Sequence, residues 1–280
     1  MRIAHVITRL IVGGAQENTI LCCQDVIDRY QDDVLLVTGP SLGPEGSLVK
    51  DALARKVPMA TIDSMRRSIH PWRDFKSYRN LKRVLCQFRP DVVHTHSAKA
   101  GVLGRYAASA LRIPVIVHTV HGAPFHPYQN PAARWLFRRC ERSAAKHCHQ
   151  IVCVADAMTD LIVDAGIAPR EKCLTVYSGM DVDLFLQAQQ MRNKVRHELG
   201  YQDQHVVVGK VARLFHLKGH SDVIQAARDV VDRHPNVRFL MVGDGVLHHQ
   251  LQGQIRHLGL QDHFQFTGLV SPQRVAELIG

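Results

Sequence analysis

Short runs of β-branched and other apolar residues recur along this chain, each followed by an amphipathic stretch long enough for a helix. A first series comprises Ile3–Thr8, Asp33–Thr38, Asp91–Thr95, Val115–Thr119, Gln150–Val154 and Cys173–Tyr177. A second comprises Val206–Val211, Val237–Val242 and His263–Thr267. Unbroken Val/Ile/Leu runs belong in strands covered on both faces, which is the habit of a parallel sheet. Strands alternating with helices then predict βαβ units and an α/β, doubly wound fold. The series break where LFLQAQQMRNKVRHELGYQDQ is polar and lacks a strand. The expected organisation is therefore a first Rossmann-like domain over 1–185, a linker over 186–204 and a second over 205–280. Doubly wound nucleotide-binding sheets have about five or six strands, so the second domain, with three, reads as incomplete.

Composition narrows the class. With 46% hydrophobic and 21% charged residues among 280, the chain has enough apolar material for a packed core. Its first fifteen residues are apolar, but His5 and Arg9 interrupt them and Gly13-Gly14 follows, as after a buried first strand rather than in a leader. Seven cysteines without a C-x-x-C pair fit reduced thiols in a cytosolic chain. His147, Cys148, His149 and Cys153 suggest zinc, yet neighbours two apart on a helix point to different faces, so no metal is expected. Formal net charge is +10, and eight Lys or Arg residues lie between Arg66 and Arg89 against one acid, Asp74. No nucleic-acid motif accompanies them. A peripheral contact of 66–89 with an anionic membrane face is the expected use, if they are more than a solvated helix.

Ligands of open α/β sheets bind where strands exit into helix N-termini. The first exit runs Arg9 to Glu17, and Gly13 and Gly14 there permit close backbone approach to an anion or acceptor. At the next informative exit, His96, Ser97 and Lys99 are expected at the cleft mouth, while His94 alternates back as a core histidine. His121 follows Val115–Thr119 in a loop, where an imidazole reaches a sugar or phosphate oxygen. In the second series Arg213 leaves the strand and Lys218 opens the next helix, a pair suited to clamping a diphosphate. Gly243, Asp244 and Gly245 complete a Gly-rich crevice.

In order along the chain stand GGAQE (13–17), PDVVHTHSAKAG (90–101), HTVHG (118–122), YSGMDVDLF (177–185), VARLFHLKG (211–219), MVGDG (241–245) and FQFTGLV (264–270). Together they resemble the family-4 retaining glycosyltransferases of the GT-B fold, in the branch that builds surface polysaccharide and lipopolysaccharide. The resemblance implies a nucleotide-diphosphate sugar donor, a glycan or lipid-linked acceptor, and no cofactor or metal. By it, Arg213 and Lys218 hold the donor diphosphate, the Gly14 backbone touches phosphate or acceptor, His121 lies near the transferred sugar and acts in catalysis, and Val270 lies near the base. Departures are Ser178 where the family has Asn, Cys148-His149 before the last strand of the first domain, and no pair of glutamates eight apart. Two further readings remain open: a binding paralogue or fragment without turnover, and a nucleotide-sugar epimerase. A dehydrogenase is disfavoured, since no G-x-G-x-x-G follows a strand.

Overall fold

A computed structural model describes residues 1–43 and 45–280 and divides them into two compact units, Met1–Met180 and Asp181–Gly280. The first unit opens with β1 (Arg2–Arg9), α1 (Gly14–Tyr30), β2 (Asp33–Gly39), α2 (Val49–Ala54), β3 (Met59–Thr61) and α3 (Pro71–Phe88). It continues with β4 (Val92–His96), α4 (Ala98–Ala110), β5 (Val115–Val120), α5 (Pro131–Ala145), β6 (Gln150–Cys153), α6 (Asp156–Asp164) and β7 (Cys173–Thr175). These strands form a parallel sheet in the order β3-β2-β1-β4-β5-β6-β7. The order reverses between β1 and β4, which makes their shared carboxyl end the switch point of the sheet.

Both faces are covered, as the unbroken apolar runs require. Ile7 packs with Ile20 and Leu36 under α1, while its neighbour Val6 packs with Val93, Ala100 and Ala107 under α4. Helix α4 (AKAGVLGRYAASA) is rich in small residues because it lies almost on the sheet. A Cβ on Gly101 would sit 2.5 Å from the His118 ring, and one on Gly104 2.6 Å from Thr95. Arg105 is fully buried on the same helix; its Nη2 donates to Glu141 of α5 at 2.6 Å and its Nε to the Gly101 carbonyl at 2.8 Å.

The second unit contains α7 (Asp183–Ala188), α8 (Arg192–Glu198), β8 (Val206–Val211), α9 (His220–Arg233), β9 (Val237–Val242), α10 (His248–His257), β10 (Phe264–Gly268) and α11 (Pro272–Ile279). Its parallel sheet has the order β10-β9-β8. Leu214, Ile224, Phe239, Leu251 and Ile255 form the core.

Two readings of the sequence need correction. The stretch 186–204 is not a linker: α7 and α8 pack against α11, with Arg274 bonded to Glu198 at 2.5 Å and Arg192 to the Gly280 carbonyl at 3.2 Å. The boundary accordingly falls at Met180, because helices short in apolar residues can still dock by polar contacts. Strand β3 escaped notice, since PMAT is too short to show a period.

Candidate functional site

Candidate site residues of the first unit gather at the carboxyl end of β1, β4 and β5. Helix α1 starts at Gly14, and the Gly13 carbonyl accepts from the Gln16 and Glu17 N–H groups at 3.1 and 3.0 Å. A Cβ on Gly14 would meet nothing within 4 Å, so the protein's own packing does not demand glycine at this exposed helix start. At the β4 exit, Ser97 adopts φ 60°, an uncommon and costly conformation for a residue with a side chain. It is held there from β1: Ser97 Oγ lies 2.8 Å from Thr8 Oγ1, which accepts the Ala100 N–H at 3.1 Å.

Four imidazoles lie together beside this exit. His5 and His94 are register partners on adjacent strands, and His96 follows His94 on the same side of the sheet. His5 Nδ1 is 3.1 Å from His96 Nε2, and His96 Nδ1 is 3.1 Å from His121 Nε2. His94 Nε2 instead meets Thr119 Oγ1 at 2.7 Å, as befits the core role expected of it. Ring nitrogens of His5, His94 and His96 lie within 4.8 Å of one another, the spacing of a potential metal site. Those of His5 and His96 already face each other, so an ion would displace that bond.

Two placements differ from expectation. His96 is not at the cleft mouth but 1% exposed, because residues two apart share a face and that face here is covered. Lys99 is not a loose cleft cation either. Its Nζ donates to Asp74 Oδ1 at 2.6 Å and to the Ser68 carbonyl at 2.5 Å, tying α4 to α3. His121 is half-buried at the β5 exit, as its position after the strand suggested. The residues suspected of binding zinc have local partners: His147 meets Ser109 Oγ at 3.0 Å, and His149 Nδ1 accepts the Ile116 N–H at 3.0 Å.

In the second unit the carboxyl ends of β8, β9 and β10 carry Arg213, Lys218, the Gly243–Gly245 turn and Val270. Arg213 is exposed, its guanidinium 5.2 Å from the Phe215 ring centroid. Lys218 is also exposed, and Gly219, at φ 62°, turns the chain from it into α9. Lys218 thus directly precedes this helix start, where Asp222 of the first turn brings its Oδ2 to 3.2 Å from the position of a Cβ on Gly219. Gly243 and Gly245 serve packing: a Cβ at each would come 2.3 and 2.5 Å from the carbonyl oxygens of Ala212 and Leu214. Asp244 Oδ1 accepts from His248 and from the Gly245 N–H, which together hold its carboxyl below the usual range. Val270 is half-buried just beyond β10.

The glycosyl transferase 4-like domain matches residues 27–179, more than half of the chain, and the glycosyl transferases group 1 family matches 191–280. The chain belongs to the glycosyl transferase 4-like family. Over 254 residues it is 28% identical to the Escherichia coli UDP-Gal:alpha-D-GlcNAc-diphosphoundecaprenol alpha-1,3-galactosyltransferase, covering 90% of this chain and 64% of that protein. It is 24% identical to the alpha-monoglucosyldiacylglycerol synthase of Streptococcus pneumoniae, over 72% of this chain and 47% of that one. The chain thus spans less than two thirds of either relative. Anabaena HepE, solved with UDP-glucose, superposes with a TM-score of 0.76 at 22% identity, over 99% of this chain and 72% of that one. The architecture is that of the GT-B glycosyltransferases.

In this chain the imidazole cluster sets a pH limit on stability. Burial pushes His5 and His121 down to about 4, and burial followed by neighbouring imidazoles holds His94 and His96 well below the ordinary range. Between pH 6.5 and 4 the unfolded chain binds more protons than the folded one. The stability is full above about 6.5 and lost as pH falls toward 4. His5 alone contributes about 3 kcal/mol. Urea midpoints of the first unit are expected to fall steadily across that window; a flat profile would contradict burial of neutral imidazoles. No helix among the described residues is long and apolar enough to cross a membrane. The basic run borders a cavity of about 650 Å³ lined by Arg9, Arg66, Arg67, Arg73, Leu42 and Ile69.

Proposed function

We propose that this chain transfers a sugar, with retention, from a UDP-sugar to a lipid-linked acceptor in the building of a surface polysaccharide. The observation that carries the donor half is the pair of exposed cations, Arg213 at the β8 exit and Lys218 just before α9. An anion held by them meets a planar guanidinium and an ammonium. In the transfer, the bond from the anomeric carbon to the diphosphate oxygen breaks and the leaving group keeps the electron pair. The acceptor oxygen bonds to the same face of that carbon, and its proton passes to the departing phosphate. Arg213 and Lys218 stabilise the negative charge that grows there, which lowers the barrier without a protein nucleophile or a metal. His121, half-buried at the β5 exit, is assigned to the sugar. UDP-linked sugars head the candidate donors because the E. coli relative and HepE are named with them.

The arginine-lined cavity supports a lipid-linked acceptor. Arg66, Arg67 and Arg73 have no carboxylate partner among the described residues, and Arg73 Nε is buried without a hydrogen bond. Ile69 in the lining is 63% exposed, and Trp72 and Phe75 on the same basic segment are 79% and 55% exposed. Cations and bare apolar side chains on one segment suit an anionic group carried on a hydrocarbon chain, at the surface of a membrane. The acceptor names of both curated relatives include a lipid.

Donor and acceptor are tested together by incubating the protein with UDP-galactose or UDP-glucose and a short polyprenyl diphosphate sugar, then reading the product's anomeric configuration by NMR. An α-linked product supports the reading; an inverted linkage, or UDP-sugar epimerised without acceptor, overturns it. Vesicles containing a polyprenyl diphosphate are expected to bind the Arg66→Ala/Arg67→Ala/Arg73→Ala variant about a hundredfold more weakly than wild type, at about 1 kcal/mol per cation. Equal binding by the two proteins, or equal binding to uncharged vesicles, removes the acceptor assignment.

A further inference from the structure

His5, His96 and His121 form a continuous chain of rings from the interior of the first sheet to the half-exposed β5 exit, joined by N···N contacts of 3.1 Å each. The His5 and His96 rings are inclined by only 11°, and those of His96 and His121 by 31°. Their centroids lie 5.3 and 5.4 Å apart, so neighbouring rings meet through their nitrogens rather than stacking face upon face. Both nitrogens of His96 are used, and all three rings are held neutral by burial. A neutral imidazole has one N–H and one lone pair, so it cannot donate at both ends.

That constraint couples the rings. If His5 donates from Nδ1, His96 accepts at Nε2, must carry its proton on Nδ1, and so donates to His121 Nε2. His121 then carries its own proton on Nδ1, facing outward. In the reverse arrangement His121 donates from Nε2, His96 donates from Nε2, and His5 carries its proton on Nε2. His121 Nδ1 is then a bare acceptor. Any mixed arrangement sets two lone pairs or two N–H groups against each other in a buried site. His94 and His118 stand outside the chain, paired with Thr119 and Thr95 respectively.

We propose that His96 and His5 are positioning residues that set whether His121 Nδ1 donates or accepts a hydrogen bond at the substrate face. The three rings share one tautomer, all Nδ1–H or all Nε2–H. An oxygen ligand without a proton to give, such as a phosphate, selects the all-Nδ1–H state. Passing to that state, one proton is taken up at His121 Nδ1, the two between shift along their bonds, and one leaves His5 Nε2 for water during local opening of the sheet. No net charge is created in the core. The sheet thereby offers its substrate a donor that costs no buried charge. Its use in catalysis rests on the proposed function, because only there does His121 face a donor sugar; the shared tautomer itself does not.

The test is ¹⁵N NMR of the protein labelled at histidine, with and without UDP. In wild type, His5, His96 and His121 are expected to report the same tautomer, with N–N couplings across both hydrogen bonds. A mixed state is disfavoured about tenfold, the scale of one buried hydrogen bond. UDP binding near His121 is expected to move the remote His5 ring in step with it. His96→Leu removes the link and leaves His5 and His121 independent. His96→Gln, which keeps one donor and one acceptor, restores the coupling. Opposite tautomers on His5 and His121 in wild type overturn the proposal even if both variants fail to fold. If the rings are coupled but UDP does not bind, the donor reading fails and the relay stands.

Discussion

Arg213→Ala is expected to lower the turnover of a UDP-sugar by about 10²–10³-fold, the loss that follows removal of one preorganised donor to a developing anion. The diphosphate is already charged in the ground state, but the oxygen bound to the sugar gains its charge only as that bond breaks. A cation aimed at this oxygen therefore acts mainly on kcat, whereas one that merely holds the nucleotide acts on KM. Arg213 stands at the β8 exit, where the Leu214 N–H bonded to the Asp244 carbonyl at 2.9 Å fixes the backbone behind it. Arg213→Lys is expected to recover only part of the loss, because an ammonium does not present a planar pair of N–H groups. UDP release under saturating donor measures both variants. A raised KM with unchanged kcat would reassign Arg213 to simple binding.

Glu141→Ala is expected to destabilise the first unit by about 3–5 kcal/mol, since it strands a buried guanidinium without its counter-charge. Arg105 is fully buried and Glu141 is 4% exposed. Besides Glu141 the guanidinium donates to the Gly101 carbonyl, and its Nη1 is buried without a hydrogen bond among the described residues. For a unit of this size the loss corresponds to a melting temperature lower by about 6–20 °C. Amide hydrogen exchange of β1, β4 and β5 reports the unfolding of the first unit separately. Arg105→Met combined with Glu141→Leu removes both charges and is expected to come close to wild type. A loss below about 1 kcal/mol for Glu141→Ala would show that water reaches the pair.

Much of the architecture was legible because hydrophobic period is a local property. The runs at Ile3–Thr8, Val115–Thr119 and Val237–Val242 became strands close to where they were read, and Ser271 caps α11 by accepting the Arg274 N–H at 3.2 Å. Reading failed where packing was supplied from elsewhere. The polar stretch 186–204 contains little to mark it as part of a domain, but α11, some eighty residues further on, gives it a surface to dock against.

Among the candidate residues of the two units, the sequence by itself determined which side chains leave which strands: His121 after β5, Arg213 after β8, Lys218 and Gly219 before α9. Strand exits are fixed by chain connectivity, and a parallel sheet sends them all to one edge. Only the tertiary structure decided what those side chains do there. His96 turns inward to His5, 91 residues away, and Lys99 is claimed by Asp74, 25 residues upstream. Arg9 and Arg73 come to line one cavity across more than sixty residues of chain. A side chain's direction follows from its own strand, but its charge partner and its ligand depend on which other strand lies beside it. Pairing in a parallel sheet joins segments far apart in sequence, and no local pattern encodes that choice.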